Sequence, residues 1–579
     1  MVNTLLWSLL CGSAHALTHS QAPLEAGGYI SVTVTGATPG QPVYLYMGDA
    51  GIGAGPCPAE LNGQCLDLAG NPDTVASGFA DGAGVADLLA FVPVDRLGVD
   101  LSTQAGEDGG GVPLSAPVTV TVETRTSLYG MWTASAADAR LLGENTNDLA
   151  GAAVSGAGDV NGDGFDDILI GARRSDPGQP DAGVAYIVHG PVSGDFDLAN
   201  ADARLMGERP DDYAGSRVSD AGDVNGDGFD DVLVGSFGED TGGNMASASY
   251  LVLGPMSGDI DLADAEAKFI GEAAKDHAMY GLSDAGDVND DGFDDILIGA
   301  KGNDAGGNWA GAAYIILGPV TGDVDLAFAD AKMVGENNDD RAGIRVSGLE
   351  DTDGDGFDDV LVGAHFNDTV AQNAGVGYIV NGPIRGTFSL GAADAILQGE
   401  DLGDYVGLRS SGGGDVNGDG LSDAFIGGFE TGPVVVQEQA STGYLVHGYM
   451  IGDIDLATAD AKLIGVFATG LRGLDVSDAG DVNGDGFDDL LVGSKFEDTS
   501  GSNAGASYLV LGPVQGTVEL EHEAEVRILG DVFGDFLGFD ISGVGDTNLD
   551  GFDDFILGAY GEDTAAASAG ASYLFLGAP

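Results

Sequence analysis

A nine-residue acidic string constrains this chain most. It reads Asp-Val-Asn-Gly-Asp-Gly-Phe-Asp-Asp at Asp159–Asp167, and variants begin at Asp223, Asp287, Asp351, Asp415, Asp481 and Asp546. Successive starts lie 64, 64, 64, 64, 66 and 65 residues apart. A fixed period of that length means one supersecondary unit repeated, each copy burying its apolar faces against its neighbours. The flanks repeat too. An Ala-Lys/Arg-Leu-x-Gly-Glu segment comes first, as at Ala139–Glu144, and a Ser stands four residues ahead of every loop: Ser155, Ser219, Ser283, Ser347, Ser411, Ser477 and Ser542. Behind the loop runs an apolar segment such as Ile168-Leu169-Ile170-Gly171, and later a Tyr-bearing one such as Ala312–Gly318.

These short β-branched and aromatic runs bounded by Gly and Asp read as strands, and no repeat carries a strong helical period. Four strands per unit, labelled A (before the acidic loop), B (after it), C (the Tyr-bearing one) and D (the Ala-Lys-Leu one), fit the blade of a propeller. The fold class predicted is all-β, a seven-bladed β-propeller over residues 128–579. The last copy ends on a C strand, whereas Gly130–Glu144 supplies a D strand with no C before it, so the two are expected to pair and close the ring. Ahead of the repeats, Ile30–Val34 and Val118–Val122 alternate apolar and Ser/Thr residues, which predicts a small, Ig-like β-sandwich over 17–127. The apolar run from Leu5 followed by Ala14-His15-Ala16 predicts a secretion signal over 1–16. In an oxidising compartment, Cys57 and Cys65 could close their short loop as a disulfide. No later stretch is long and apolar enough to span a membrane.

In the first loop, Asp159, Asn161, Asp163 and Asp167 stand at positions 1, 3, 5 and 9, and Phe165 at position 7 can offer its carbonyl. The same positions hold Asp223, Asn225, Asp227, Phe229 and Asp231 in the second loop, and Asp287, Asn289, Asp291, Phe293 and Asp295 in the third. They hold Asp351, Asp353, Asp355, Phe357 and Asp359 in the fourth, and Asp415, Asn417, Asp419, Leu421 and Asp423 in the fifth. The sixth has Asp481, Asn483, Asp485, Phe487 and Asp489, and the seventh Asp546, Asn548, Asp550, Phe552 and Asp554. Hard oxygens at alternate positions of a tight loop suit Ca²⁺, which takes six to eight of them. An EF-hand would need Glu at position 12; here Ile170, Val234 and their counterparts stand there, inside strand B. About seven Ca²⁺ sites are therefore predicted, each in a β-hairpin. Asp-Gly runs also make ordinary turns, but seven loops keeping all four oxygen-bearing side chains argue for metal.

The net charge of −73 excludes a nucleic-acid partner, whose phosphates need a basic face. There is no Gly-x-Ser-x-Gly or His-Glu-x-x-His motif. The sevenfold Asp and Ser are too repetitive to be a catalytic set, so the Ser residues are read as structural hydrogen-bonding groups and the chain as a non-enzyme.

The repeats resemble FG-GAP repeats, the units of the integrin α-chain N-terminal propeller. The resemblance stands on Tyr213-Ala214-Gly215 and Phe536-Leu537-Gly538, the Asp-x-Asn-x-Asp-Gly-x-x-Asp loop, and Ile170-Gly171-Ala172. The Pro that usually follows Gly-Ala is replaced by Arg173, Phe237, Lys301, His365, Phe429, Lys495 and Tyr560. The resemblance implies calcium in the A–B hairpins and ligand binding on the opposite face. That face carries the B–C and D–A loops, among them Trp309, a candidate anchor, and an irregular blade-five loop, Phe429–Gln439. Docking is expected near blades three to five. The expected role is a secreted or cell-surface, monomeric binding or adhesion module for an extracellular protein or glycan. The competing readings are an enzyme built from the unique loops of that face and a structural surface-layer component.

Overall fold

The computed structural model describes residues 130–430, 440–465 and 474–578, together with the backbone of eight strands between residues 6 and 125. Cys57, Cys65 and most of the predicted signal lie outside the described residues, as do the blade-five loop beyond Glu430 and Val466. The chain divides into two units, Met1–Trp132 and Thr133–Pro579. In the first, Tyr29–Thr35 pairs antiparallel with Val85–Phe91 and Thr119–Arg125, and Pro42–Gly48 with Asp73–Phe79 and Ser102–Glu107. The alternating Ile30 and Val120 segments thus meet as neighbouring strands.

The second unit is the propeller. Its A strands are Ala153–Gly158, Ala214–Gly222, Ala278–Gly286, Val346–Glu350, Arg409–Gly414, Asp475–Gly480 and Ile541–Gly545. Each packs beside the next, and the last beside the first, so the ring is closed. In every blade A pairs with B, B with C and C with D, all antiparallel; in the first these are Asp167–Ala172, Val184–Val188 and Ala203–Met206. The predicted closure is present: Ala139–Leu142 pairs antiparallel with Ala571–Phe575, Ala139 opposite Leu574, as the D strand of blade seven. A ring joined this way leaves no bare edge between first and last blades.

The sequence reading missed a fifth strand. The C–D connection of one blade forms a short strand parallel to the D strand of the blade before it, as Gly258–Asp261 does beside Ala203–Met206. Arg204 on that D strand donates two bonds to Asp259, at 2.7 and 2.8 Å. Arg140 does the same to Asp195, at 2.7 and 2.6 Å.

The core lies between blades. Leu169, Ile187 and Leu205 of blade one pack with Val232, Val234 and Tyr250 of blade two. Burying each such side chain contributes about 1.5–3 kcal/mol. The C-strand tyrosines Tyr186, Tyr250, Tyr314 and Tyr378 are wholly buried, and their hydroxyls donate to Glu144, Glu208, Glu272 and Glu336 on the preceding D–A connections. Those glutamates are therefore framework, not free groups on a recognition face. The signature glycines have a steric cause. A Cβ on Gly171 would lie 2.2 Å from the carbonyl oxygen of Gly215, which has φ +75°, at the start of the next blade's A strand.

Candidate metal loops and the opposite face

Each acidic loop is a tight A–B hairpin organised by its first Asp. Asp159 accepts the N–H of Gly162 at 2.7 Å and of Asp163 at 3.0 Å on Oδ1, and of Gly164 at 2.7 Å on Oδ2. Asp163 accepts the N–H of Phe165 at 3.1 Å. Asn161 donates to Asp167 at 3.1 Å, so positions 3 and 9 face each other. In the fourth loop, where position 3 is Asp, one oxygen each of Asp351, Asp353 and Asp359 lies within 4.8 Å of the others.

The closing position is the electrostatically costly one. Asp167, Asp231, Asp295, Asp359, Asp423, Asp489 and Asp554 have no exposed surface. Burial pushes their carboxyls up, Asp231 to about 7 and Asp489 to about 8, with the other loop aspartates adding to the rise. Backbone N–H groups oppose this, as Gly254 does toward Asp231 at 2.9 Å. A hard divalent cation fits this donor set: it offsets the repulsion among several carboxylates that, among the described residues, have no Lys or Arg ion-pair partner.

Two loop positions given little or no role in the sequence reading prove to join the blades. The position-8 carboxylate of each loop accepts the position-1 N–H of the loop before it. Asp230 does so for Asp159, Asp294 for Asp223, Asp358 for Asp287, Asp488 for Asp415, Asp553 for Asp481 and, across the closure, Asp166 for Asp546. The distances run from 2.6 to 2.8 Å. Blade five departs from the pattern, with Ser422 donating to Glu350 at 2.9 Å. The position-7 side chains also lie against the preceding loop. A Cβ on Gly162 would fall 2.5 Å from the ring of Phe229, and one on Gly226 2.6 Å from that of Phe293. The signal was visible as a Phe-Asp pair in six of the seven loops, Leu421-Ser422 being the exception, but only the ring geometry shows that it points to the neighbouring blade.

The seven serines ahead of the loops line an axial cavity of about 510 Å³. Ser155, Ser283, Ser347 and Ser411 accept a backbone N–H from the next A strand, at 2.9–3.3 Å. Their predicted structural role is thus seen. Asp220, Asp284 and Asp478 also line this cavity, and burial pushes all three carboxyls up, Asp220 and Asp478 to about 7.

The far end of the axis differs in charge. Two sets of side chains meet there. One stands two residues before each axial Ser, and includes Arg217, Arg345, Arg409, Asp475 and Asp540. The other is the set that replaces the Pro, and includes Arg173, Lys301, His365 and Lys495. Arg409 pairs with Asp475 at 2.7 Å. Among the described residues, Arg345 donates to the carbonyl of Tyr280, at 3.0 Å, and Arg217 to that of Ser216, at 3.3 Å. Lys301 lies 3.1 Å above the Tyr280 ring, and Lys495 4.3 Å from that of Phe539. Burial, then the neighbouring cations, pulls Lys301 down to about 7 and Arg345 far below its ordinary range. Trp309 is half-buried rather than free. Its ring centroid is 5.7 Å from that of His277, and the Arg341 guanidinium lies 5.2 Å from it. Among the described residues, a cavity on this face lies over blades one to three. It measures about 350 Å³ and is lined by Arg173, Arg174, Tyr213, Arg217, Phe237 and Tyr280, among others.

Taken together, these features define a seven-bladed propeller with acidic hairpins at one end of its axis and a cationic, aromatic mouth at the other. Five of its seven repeats match the FG-GAP repeat, at residues 150–188, 217–252, 283–316, 342–380 and 476–510. The chain is similar to Integrin alpha pat-2 of Caenorhabditis elegans, 30% identical over 234 residues that make up 38% of this chain and 18% of that protein. It is also 33% identical to Integrin alpha-5 of Xenopus laevis over 170 residues, 28% of this chain and 15% of that one. The matches thus span less than a fifth of either relative. A solved leech intramolecular trans-sialidase aligns over 96% of this chain with a TM-score of 0.29 and 8% identity, values that support no inference about this chain.

Proposed function

We propose that the chain is a secreted or cell-surface binding module, not an enzyme. About seven Ca²⁺ ions stiffen the hairpins at one end, and a partner docks on the B–C/D–A face. The observation that carries the reading is the division of labour between the two ends. The hairpins are nearly identical and locked to one another, so they offer little to distinguish partners. The opposite mouth varies from blade to blade, with five kinds of side chain among the seven that replace the Pro, on a rigid scaffold where recognition tends to sit. A β-sandwich over residues 17–127, a signal over 1–16 and a Cys57–Cys65 bridge complete the proposed organisation. Among the described residues, no helix is long and apolar enough to cross a membrane.

The test is binding of the immobilised full chain to a panel of extracellular glycans and matrix proteins, in calcium and in chelator. Binding should need calcium, and no panel member should be chemically changed. Exchanging the B–C loop of blade two for that of blade four should abolish binding while calcium uptake is kept. Asp287→Ala should lower stability first and binding only as a consequence. Loss of binding in a fully folded Asp287→Ala chain would place the partner at the hairpin end instead. Turnover of a glycan would replace the binding role with an enzymatic one.

A further inference from the structure

The basic residues of this chain are few, 20 against 93 acidic ones, and their placement is uneven. Those on the D strands have carboxylate partners: Arg140 with Asp195, Arg204 with Asp259, Lys268 with Glu208, Lys332 with Glu272, Lys462 with Glu400 and Arg527 with Glu497. The cations at the axial mouth are different. Among the described residues, no carboxylate lies within 4.0 Å of Arg173, Arg174, Arg217, Lys301, Arg345 or Lys495. Arg174 is exposed, but the other five are half-buried, and in a chain with so large an excess of acid, leaving them near one another without an ion-pair partner is costly. An anion arriving from outside would remove that cost.

We propose that the mouth is a site for an acidic saccharide, whose carboxylate or sulfate group is held by Arg173, Arg174 and Arg217 and whose ring packs on Tyr213 and Phe237. The inference rests on the B–C/D–A face being the docking face, and adds the chemistry of the ligand. The 350 Å³ cavity is at the small end of the range for ligand sites and combines an apolar wall with a few convergent charged groups. Guanidinium forks match a carboxylate or sulfate with paired bonds. Tyr213 and Phe237 are both half-buried, so each keeps surface for a ring to cover. A peptide fits less well, because the partly open cavity offers neither a free strand edge nor an extended groove, the usual peptide-binding devices. The cation field reaches beyond the cavity. Burial lowers the proton affinity of Arg345 and Lys301 most, and nearby cations including Arg217 add to it, while Asp475 and Asp540 partly offset the charge on the Arg345 side.

The experiment uses the full chain at saturating calcium and four probes on a calorimeter or biosensor: neutral dextran, carboxymethyl dextran, dextran sulfate and a polyglutamate of matched charge. The two anionic dextrans should bind, and neutral dextran should not. Affinity should fall by about tenfold or more between 50 and 500 mM NaCl, as for charge-led binding. Arg173→Gln with Arg217→Gln should weaken binding by about tenfold or more without lowering the melting temperature, since neither cation has an ion-pair partner to lose and Arg217 gives up only one long bond to a neighbouring carbonyl. Tyr213→Ala should weaken carboxymethyl dextran while leaving calcium uptake unchanged. Polyglutamate binding as tightly as the anionic dextrans would overturn the saccharide assignment in favour of an acidic protein segment. Failure of every anion to bind, or undiminished binding by the double variant, would overturn the anion site. Neither failure would touch the docking-face reading, which falls only if a partner is found at the hairpin end.

Discussion

Replacing Asp294 by Ala should weaken the propeller by an amount that calcium controls. Asp294 Oδ2 accepts the Asp223 N–H at 2.7 Å, one link in the ring that joins the hairpins. Cutting it leaves a backbone donor without its acceptor, which costs about 1–3 kcal/mol. A second effect opposes the first. Burial raises the Asp294 carboxyl, and Asp223, Asp230 and Asp358 repel its charge. Without metal, deleting the carboxylate relieves that repulsion and the two effects partly cancel. With cations in the loops, the repulsion is already neutralised and the lost bond stands alone. Denaturant unfolding at pH 7.5 should therefore show a loss of about 1–3 kcal/mol in calcium and a smaller loss in chelator. Equal losses in both conditions, or none in calcium, would refute the reasoning.

Two further outcomes follow from charge. Seven divalent ions offset only fourteen of the net 73 negative charges, so at saturating calcium the melting temperature should rise from low to molar NaCl as salt screens the remainder; a flat or falling curve would contradict this. Lys301 has its ordinary value near 10.5 when unfolded and about 7 when folded. Between those values the unfolded chain holds a proton that the folded chain has released, so this group makes stability rise with pH from 7 to 10. Lys301→Met should therefore be more stable than the parent at pH 7, with the gap closing toward pH 10; a gap independent of pH would count against the unpaired cation.

The period carried most of the fold into view. Strands A to D, the A–B hairpins and the pairing of Ala139–Leu142 with the last blade all follow from local patterns repeated seven times. What stayed hidden depends on which blade a side chain faces. Asp166 and Phe165 sit beside Asp167 in sequence, yet they serve a neighbouring blade, and no periodicity distinguishes a contact within one repeat from a contact with the next. The parallel fifth strand escaped for the same reason: Gly194–Asp197 and its counterparts are short, exposed segments whose partner lies one blade away. The cationic mouth was in plain sight as the residues replacing the Pro, but each is a single charge in its own repeat. Only closing the ring brings Arg173, Lys301 and Lys495 around one axis. Trp309 was read from its type and its place in a B–C loop, and only the structure shows it packing on His277 and Arg341.

The central claim is that the hairpins are metal sites rather than acidic turns, and calcium titration of the chelated chain tests it most directly. Calorimetry at pH 7.5, with unfolding followed in parallel, should give about seven ions per chain, and a melting temperature that climbs as they bind. A plateau at two or three ions, or seven ions bound with no gain in stability, would contradict the account.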